Sequence, residues 1–506
     1  MSEAAGSEPG FRGRAAKGVF WTATSNWGNE LTRLLVFVIL ARLLDPKDFG
    51  LVALALVFIG MTQVVADQGM ADALVQRKDL DPAHYDSAFW MNVAVGLFLG
   101  AILAGLATPI SLAVGEPRLA LVLAVLALSL PISSLNLVQR ALMTRELAFR
   151  SLALRTLVSI GVGATIGVTA ALLGFGVWSL VAQHIAAPIA GVLVLWRVSD
   201  WRPRATFSYR HFKDLFGFGA NVVGFRLLNY FTRTSDQLFI GSFLGAASLG
   251  FYTIGFRMLR LLFQVTSSLI DRVAFPLYSR LQGNAPRLVR AHYKSTAFAS
   301  LIAFPAFIGM AALAPDFVPV VFGTKWMDSV PIMQILAFLG AVQFLTYLNG
   351  TMLKALGKPS WQVVIVAVTS VLKVVAFFIA VRFGIIAVAV ASLCVGCVVA
   401  PAYYWTLHRL IPVRLVAYLD HIKGPLLASL FAGAAMLGMR SVLGDGHALV
   451  TLLVASAVGL VAYVAAIGVV ARDLAAEALD LTRRGIPSLR VLRPARGVAE
   501  TNARST

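Results

Sequence analysis

Long apolar runs follow one another between Phe20 and Val470, and they limit the folds that this chain can adopt. The hydrocarbon core of a bilayer is about 30 Å thick, and an α-helix needs roughly 20 apolar residues to cross it. We identify fourteen runs of this kind, at residues 20–44, 49–70, 88–114, 118–139, 151–173, 176–196, 216–244, 249–271, 296–322, 329–353, 361–381, 384–407, 424–442 and 447–471. They are too long and continuous for the short alternating strands of a transmembrane β-barrel. The runs predict an all-α polytopic membrane protein with about fourteen transmembrane helices.

The basic residues predict the orientation of these helices. The chain has 43 Lys and Arg against 24 Asp and Glu, a formal net charge of +19. If residue 1 is cytoplasmic, thirty basic residues fall in the inner segments and five in the outer connections. The positive-inside rule predicts this bias for an even number of spans with both termini in the cytoplasm. The excess of positive charge therefore indicates anionic lipid headgroups on the cytoplasmic face as partners, and not nucleic acid.

The two ends of the chain are polar. Residues 1–19 contain no apolar core and no small-residue cleavage site, so we expect a cytoplasmic segment and no removable signal peptide. Residues 473–506 form a basic tail, which we expect to be disordered or to lie on the cytoplasmic membrane surface.

An offset of 200 residues relates two parts of the sequence. The matching pairs are Asn29 with Asn229, Thr32 with Thr232, Arg33 with Arg233, Leu44 with Leu244 and Gly50 with Gly250. Six predicted spans separate the copies, and an even number predicts parallel repeats related by an axis near the membrane normal. We therefore expect two six-helix lobes around a central cleft, at residues 20–214 and 215–410, followed by two additional helices within 411–472.

Polar side chains recur at helical spacing inside three predicted spans. A charge at the centre of a span costs about 2.5 to 3.5 kcal/mol, so such residues generally face protein or a watery cavity. The proposed cleft residues are Asn26, Asn29, Arg33, Arg226, Asn229, Arg233, Arg257 and Arg260. Arginine outnumbers the acids available to pair with it, and guanidinium groups suit phosphate oxygens. These stripes predict a cleft that binds a substrate with an anionic head.

Acidic residues in or near the spans are candidates for ion coupling or gating. They are Glu30, Asp67, Asp236, Asp271 and Asp316. A structural ion pair is the alternative for Asp236, which follows Arg233 by three residues. No motif distinguishes ion-driven exchange from transport driven by substrate supply.

We find no motif for a cofactor, a metal or a catalytic centre. Cys394 and Cys397 lie in an apolar span, and two ligands alone do not make a metal site. Asp79 and Asp81 form a DxD sequence of the kind that sugar-nucleotide enzymes use. No folded soluble domain surrounds it, which favours a solvated loop.

Several segments resemble a known family. They are LLDPKDFGLVALALVF (43–58), ADQGMADALVQRKDL (66–80), RALMTRELAFRSLALR (140–155) and GFGVWSLVAQ (174–183), with Asp236, Ile240, Gly241, Leu244, Gly245, Leu249, Gly250 and Tyr252 in the second half. Over about residues 17–410 the chain resembles the Wzx-type polysaccharide flippases, especially the colanic-acid and teichuronic-acid exporter-like branch. These flippases belong to the superfamily of multidrug, oligosaccharidyl-lipid and polysaccharide exporters.

The resemblance implies a function. Such proteins move undecaprenyl-diphosphate-linked oligosaccharides from the cytoplasmic to the outer leaflet of the bacterial inner membrane by alternating access. It also implies a polysaccharide polymerase and export machinery as partners. Three alternatives stay open: a peptidoglycan-precursor flippase, a cation-coupled drug exporter, and a membrane glycosyltransferase or polymerase of the same pathway. A drug exporter should favour acidic cleft residues, and an enzyme should show a sizeable outer loop or a carboxylate cluster.

Overall fold

A computed structural model describes residues 28–67, 69–77, 79–271, 274–444 and 446–483. Within these residues the chain is helical and contains no strand, as the apolar runs predict. Its helices are α1 (28–43), α2 (Pro46–Asp67), α3 (Met70–Gln76), α4 (Pro82–Gly105), α5 (Ala107–Val114), α6 (Arg118–Ala127), α7 (Ser129–Ser134), α8 (Leu137–Arg145), α9 (Phe149–Leu172), α10 (Val177–Val198), α11 (Tyr209–Phe243), α12 (Gly245–Asp271), α13 (Ala274–Arg280), α14 (Ala285–Val321), α15 (Ser329–Ala355), α16 (Pro359–Ala380), α17 (Ile385–Leu410), α18 (Leu415–Leu443), α19 (Ala448–Val470) and α20 (Arg472–Arg483). Two 3₁₀ turns lie at Thr324–Trp326 and Val381–Phe383.

The number of spans is compatible with the fourteen predicted. Ten described helices are long and apolar enough to cross a membrane, or eleven if the bent pair Arg118–Ser134 and Leu137–Arg145 is one broken span. The bend of 41° lies at the break between Ser134 and Leu137. Pro131, which has no N–H to donate to residue 127, follows the earlier break between α6 and α7. We also expect α1, α11 and α12 to span the membrane. These helices carry the charged stripes, which lower their hydropathy.

Several helices extend beyond the apolar runs. Helix α11 begins at Tyr209, although its apolar run begins at residue 216, so the predicted linker to residue 214 includes its first turns. Helix α14 begins at Ala285, eleven residues before its run. Arginine and lysine are strong helix formers. Arg287, Arg290 and Lys294 precede the apolar part of α14 and extend the helix toward its N-terminus. Hydropathy reports only the apolar part of a helix.

The chain divides into two compact units. Of the described residues, the first comprises those within 28–259, 314–339 and 360–399. Helix α2 is one of its most enclosed helices, because Leu51, Leu54 and Ala55 have no exposed surface. Small residues allow α9 and α10 to approach closely: a Cβ on Gly163 would lie 2.9 Å from the Cβ of Ala187.

Of the described residues, the second unit comprises those within 260–313, 340–359 and 400–483. A buried polar cluster forms part of its interior: His292 Nε2 lies 3.1 Å from Asn349 Oδ1, and the His292 ring stacks on Tyr418. The last long helix joins α14 through Tyr463, whose hydroxyl donates to the Leu301 carbonyl at 2.7 Å. Helices α18 and α19 are therefore integral to this unit.

Candidate functional site

The offset of 200 residues is visible in the local structure. Helix α1 ends at residue 43 and α11 ends at Phe243, and a new helix begins within three residues of each end. The hydroxyls of Thr32 and Thr232 donate to carbonyls four residues earlier, at 2.8 and 2.6 Å. The two copies therefore share a helix break and a side-chain hydrogen bond, which supports a duplication.

Glycines bring the two copies into reciprocal contact. A Cβ on Gly50 would lie 1.6 Å from the Ala246 carbonyl oxygen, and a Cβ on Gly250 would lie 1.9 Å from the Pro46 carbonyl oxygen. Real Cβ atoms do not approach an atom closer than 3.0 Å. Residues 46 and 246 are themselves 200 positions apart, so each repeat places its glycine against the same point of the other. Only glycine permits this backbone approach.

Polar groups extend this contact by capping helix ends. The last carbonyls of a helix have no partner inside it and require one elsewhere. At the end of α1, Trp326 Nε1 donates to the Ala41 carbonyl at 2.8 Å and Lys325 Nζ donates to the Arg42 carbonyl at 3.1 Å. At the end of α14, Arg42 Nε donates to the Val321 carbonyl at 2.9 Å. The end of α1 is therefore capped by residues that follow α14, and the end of α14 is capped by a residue from the last turn of α1.

We name this assembly the outer seal, because the predicted topology places it at the outer side of the membrane. It comprises Arg42, Pro46, Gly50, Ala246, Gly250, Lys325 and Trp326, all within the first unit. Lys47 lies 3.4 Å from Glu116, which also accepts the Ala246 amide at 3.4 Å. The seal joins the end of α1 and the start of α2 to the start of α12 and to the residues after α14.

An aromatic cluster connects the outer seal with the polar stripe of α1. Phe37 makes edge-to-face contacts with Phe49 and Phe322, at ring-centroid distances of 5.5 and 6.0 Å. The guanidinium carbon of Arg257 lies 5.6 Å from the centroid of the Phe37 ring, within the range of a cation–π contact. Phe37 is one helical turn from Arg33. The structure therefore brings Arg257 of α12 to the face of α1 that carries Arg33.

The other predicted cleft residues occupy varied environments. Asn26 lies outside the described residues, and Asn29 is buried. Glu30, Arg226 and Asn229 are half-buried, whereas Arg33 and Arg233 are exposed. Arg260 is exposed and belongs to the second unit. An exposed arginine on a membrane-spanning helix requires water or a polar partner, since lipid offers it none.

The predicted coupling residues also occupy varied environments. Asp236 and Asp316 are buried, at 4% and 7% exposure. Asp67 accepts a hydrogen bond from Gln63 one turn away, at 2.8 Å. The side chain of Asp271 lies outside the described part of the chain.

Asp236 belongs to a compact polar cluster in the first unit. Its Oδ2 accepts the Tyr252 hydroxyl at 2.7 Å, and its Oδ1 accepts the Gln237 amide at 2.9 Å. Lys373 Nζ of α16 donates to the Thr232 carbonyl at 3.2 Å and is attracted by the Asp236 carboxylate. The site residues predicted from the sequence do not include Lys373. The pattern that could have identified it is a single lysine inside an otherwise apolar run.

Removing the charge of Lys373 tests this electrostatic link. We expect Lys373→Met to lower stability by roughly 1 to 3 kcal/mol, because Asp236 then loses a nearby cation in a desolvated environment. We expect the double variant with Asp236→Asn to recover much of the loss. The measurement is thermal unfolding of the detergent-solubilised protein. Losses that simply add would contradict the link.

Asp81, His84 and His211 form a further cluster of potential metal ligands.

Comparison with known proteins identifies the family. A family model described as "Polysaccharide biosynthesis protein" matches residues 39–331. The succinoglycan biosynthesis transport protein ExoT of Rhizobium meliloti is 28% identical over 485 residues, covering 93% of this chain and 96% of that protein. The teichuronic acid biosynthesis protein TuaB of Bacillus subtilis is 25% identical over 439 residues, covering 85% and 90%.

Solved structures identify the fold. A structure titled lipid II flippase MurJ, inward closed conformation, has a TM-score of 0.73 at 13% identity, covering 90% of this chain and 99% of that one. An inward-facing multidrug resistance MATE family transporter of the MOP superfamily has a TM-score of 0.61 at 16% identity, covering 76% and 94%. Since the family model covers more than half of the chain, this multi-pass membrane protein belongs to the polysaccharide biosynthesis protein family, the Wzx-type flippases of the multidrug, oligosaccharidyl-lipid and polysaccharide exporter superfamily.

Proposed function

We propose that the protein flips undecaprenyl-diphosphate-linked oligosaccharide repeat units across the bacterial inner membrane by alternating access, for surface polysaccharide synthesis. The observation that carries this proposal is a face of α1 where Arg33 is exposed and Arg257 of α12 contacts the Phe37 ring, next to the repeat-related outer seal. Such a face suits an anionic substrate, and the seal suits one closed state of a transporter with two pseudo-equivalent halves. The relatives' names, which refer to polysaccharide transport and biosynthesis, support the same substrate class.

In this proposal, the diphosphate binds to the arginines and the sugars bind to the polar stripes. The binding residues are Arg33, Arg226, Arg233, Arg257 and Arg260, with Asn26, Asn29 and Asn229. The contact of Arg257 with the Phe37 ring places one guanidinium beside the stripe of α1. The lipid tail stays in the bilayer, because polyprenyl chains are apolar and need no polar partner.

Alternating access requires the outer seal to open and re-form. Opening would expose the carbonyl ends of α1 and α14, which water or the lipid headgroups can then solvate. The polar contacts of the seal are therefore replaceable, whereas the glycine contacts depend on shape alone. Glu30, Asp67, Asp236, Asp271 and Asp316 are the candidate coupling or gating residues.

We further propose an inner-membrane location with both termini cytoplasmic. The polysaccharide polymerase and export machinery, together with anionic lipids of the inner leaflet, are the proposed partners. The protein acts as a transporter and not as an enzyme, in keeping with the transport named for its relative ExoT.

Reconstitution tests the function directly. Purified protein in proteoliposomes should move a fluorescent undecaprenyl-diphosphate-linked oligosaccharide between leaflets, as measured by the fraction accessible to an impermeant quencher. Protein-free vesicles are the control. Sugar incorporation without translocation, or translocation of cationic drugs alone, would contradict the proposal.

A further inference from the structure

Three potential metal ligands meet near the starts of α4 and α11. Asp81 immediately precedes α4, His84 lies in its first turn and His211 lies in the first turn of α11. One ligand atom from each lies within 4.8 Å of the others. The flippase function uses none of them, and the sequence predicted only a solvated loop around Asp81. Two imidazoles with a carboxylate form a mixed donor set that a solvated loop does not account for.

The segment between α10 and α11 is held against α4 by hydrogen bonds. Asp86 accepts the Arg204 amide and the Thr206 hydroxyl, both at 3.1 Å. The Ser208 amide donates to the Ser87 hydroxyl at 2.9 Å. These bonds hold the connecting segment along α4. The first turn of α11 therefore lies next to the first turn of α4. The rings of His84 and His211 are then 4.4 Å apart and nearly perpendicular.

His211 is oriented as metal-bound histidines usually are. Its Nδ1 lies 2.7 Å from the Ser208 hydroxyl. A histidine ligand commonly donates one ring N–H to such a partner, which fixes the tautomer and leaves the other nitrogen for the metal. The remaining nitrogen, Nε2, lies 3.9 Å from Asp81 Oδ2. A cation between these two atoms would replace a long, weak contact.

His84 supplies the second nitrogen from a buried position. Its side chain is 4% exposed, and Nε2 has no hydrogen-bond partner. The Asp81 amide donates to Nδ1 at 3.0 Å, so the ring proton lies on the unpartnered Nε2. An unsatisfied buried donor costs about 1 to 3 kcal/mol. A metal ion at Nε2 would remove that cost, move the proton to Nδ1 and break the bond from the Asp81 amide, which contributes about 1 kcal/mol.

We propose that Asp81, His84 and His211 bind one Zn²⁺ ion, with water as a fourth ligand. Zinc binds imidazole nitrogen and carboxylate oxygen at about 2.0–2.2 Å, usually in tetrahedral geometry. Ca²⁺ and Mg²⁺ prefer sites built from oxygen alone. Reaching these bond lengths requires shifts on the order of 1 Å. The Asp81 side chain is 76% exposed and the His211 side chain is 26% exposed, so both can make such a shift.

The ion would join two helices of different predicted lobes. Helix α4 belongs to the first lobe. Most of α11 belongs to the second, although its first turn, which holds His211, lies in the predicted linker that ends at residue 214. A metal bond at this point adds a strong link where hydrogen bonds already hold the connecting segment. Any effect of this link on the movement of the lobes rests on the proposed alternating access, whereas metal binding itself does not.

Metal content tests the binding. The full chain, purified with a histidine-free affinity tag, is incubated with micromolar zinc and desalted, and zinc per chain is measured by mass spectrometry. We expect about one zinc ion per wild-type chain. His211→Ala should retain less than about a tenth of the wild-type zinc, and Asp81→Asn should bind at least tenfold more weakly.

The controls separate this site from adventitious binding. His447→Ala removes an exposed histidine elsewhere and should leave the zinc content unchanged. His211 is half-buried, so its variant should fold even if His84→Ala does not, and gel filtration checks this. Tetrahedral absorption bands from bound Co²⁺ that His211→Ala abolishes would support the ligand set. No retained zinc in the wild type, or equal zinc in the wild type and His211→Ala, would overturn the proposal.

Discussion

Replacing Arg233 by alanine should lower glycan export by roughly ten- to hundredfold, while the protein should still accumulate in the membrane. A hydrogen bond to a charged group contributes about 1.5 to 3 kcal/mol, and each 1.4 kcal/mol corresponds to a factor of ten. The Arg233 side chain is exposed on α11, so its removal leaves no cavity in a packed core. The expected loss therefore concerns substrate binding and not folding. The measurement is flipping in proteoliposomes at matched protein density.

Two further variants make this result specific. Arg233→Lys keeps the charge but not the planar fork, and we expect it to restore only part of the activity. Arg382→Ala removes another arginine, which lies over the Phe378 ring at 5.2 Å, and we expect normal export. Equal activity of Arg233→Ala and wild type would remove Arg233 from the mechanism. Equal loss in Arg382→Ala would indicate a general effect of net charge.

Local sequence patterns predicted much of the fold. Long apolar runs predicted the helices, because each helix satisfies its own backbone and needs only enough length to cross the bilayer. The offset that pairs Arg33 with Arg233 predicted a repeat, and α1 and α11 end at corresponding positions, residue 43 and Phe243. The same patterns did not predict where α14 begins, because charged helix formers continue it beyond the apolar run. They also did not predict the bend between α7 and α8.

The candidate site was predictable as a set of residues but not as an arrangement. Helical spacing indicated the polar stripes, yet which residues meet depends on how distant helices pack. Lys373 is 137 positions from Asp236 in sequence, and no local pattern connects them. His84 and His211 meet only because the segment between α10 and α11 follows α4. Both clusters arise from tertiary contacts between residues that are far apart in sequence.

Alanine at Gly50 should prevent the outer seal from closing and reduce export at least tenfold. The added Cβ would lie 1.6 Å from the Ala246 carbonyl oxygen and 2.5 Å from its carbon. These are backbone atoms, so no side-chain rotation relieves the overlap and the helices must separate. Gly250→Ala should behave similarly, because its Cβ would meet the Pro46 carbonyl at 1.9 Å. An alternating-access transporter that cannot close one side cannot complete its cycle.

The matched control is Gly161→Ala in α9, where an added Cβ meets no atom within 4 Å. Alanine favours a helix over glycine by roughly 0.5 to 1 kcal/mol, so this variant should be at least as stable and fully active.

A labelling experiment distinguishes an open seal from a misfolded protein. A cysteine replaces Arg33 in a chain whose Cys394 and Cys397 are serine, and an impermeant maleimide is added outside intact cells. Because the outer seal lies between the outside and the stripe of α1 in our proposal, labelling should be slow in the parent and several-fold faster with Gly50→Ala. Fast labelling in both would mean that the seal does not close this side. Slow labelling in both, with normal export in Gly50→Ala, would show that the glycine contact is not required for transport.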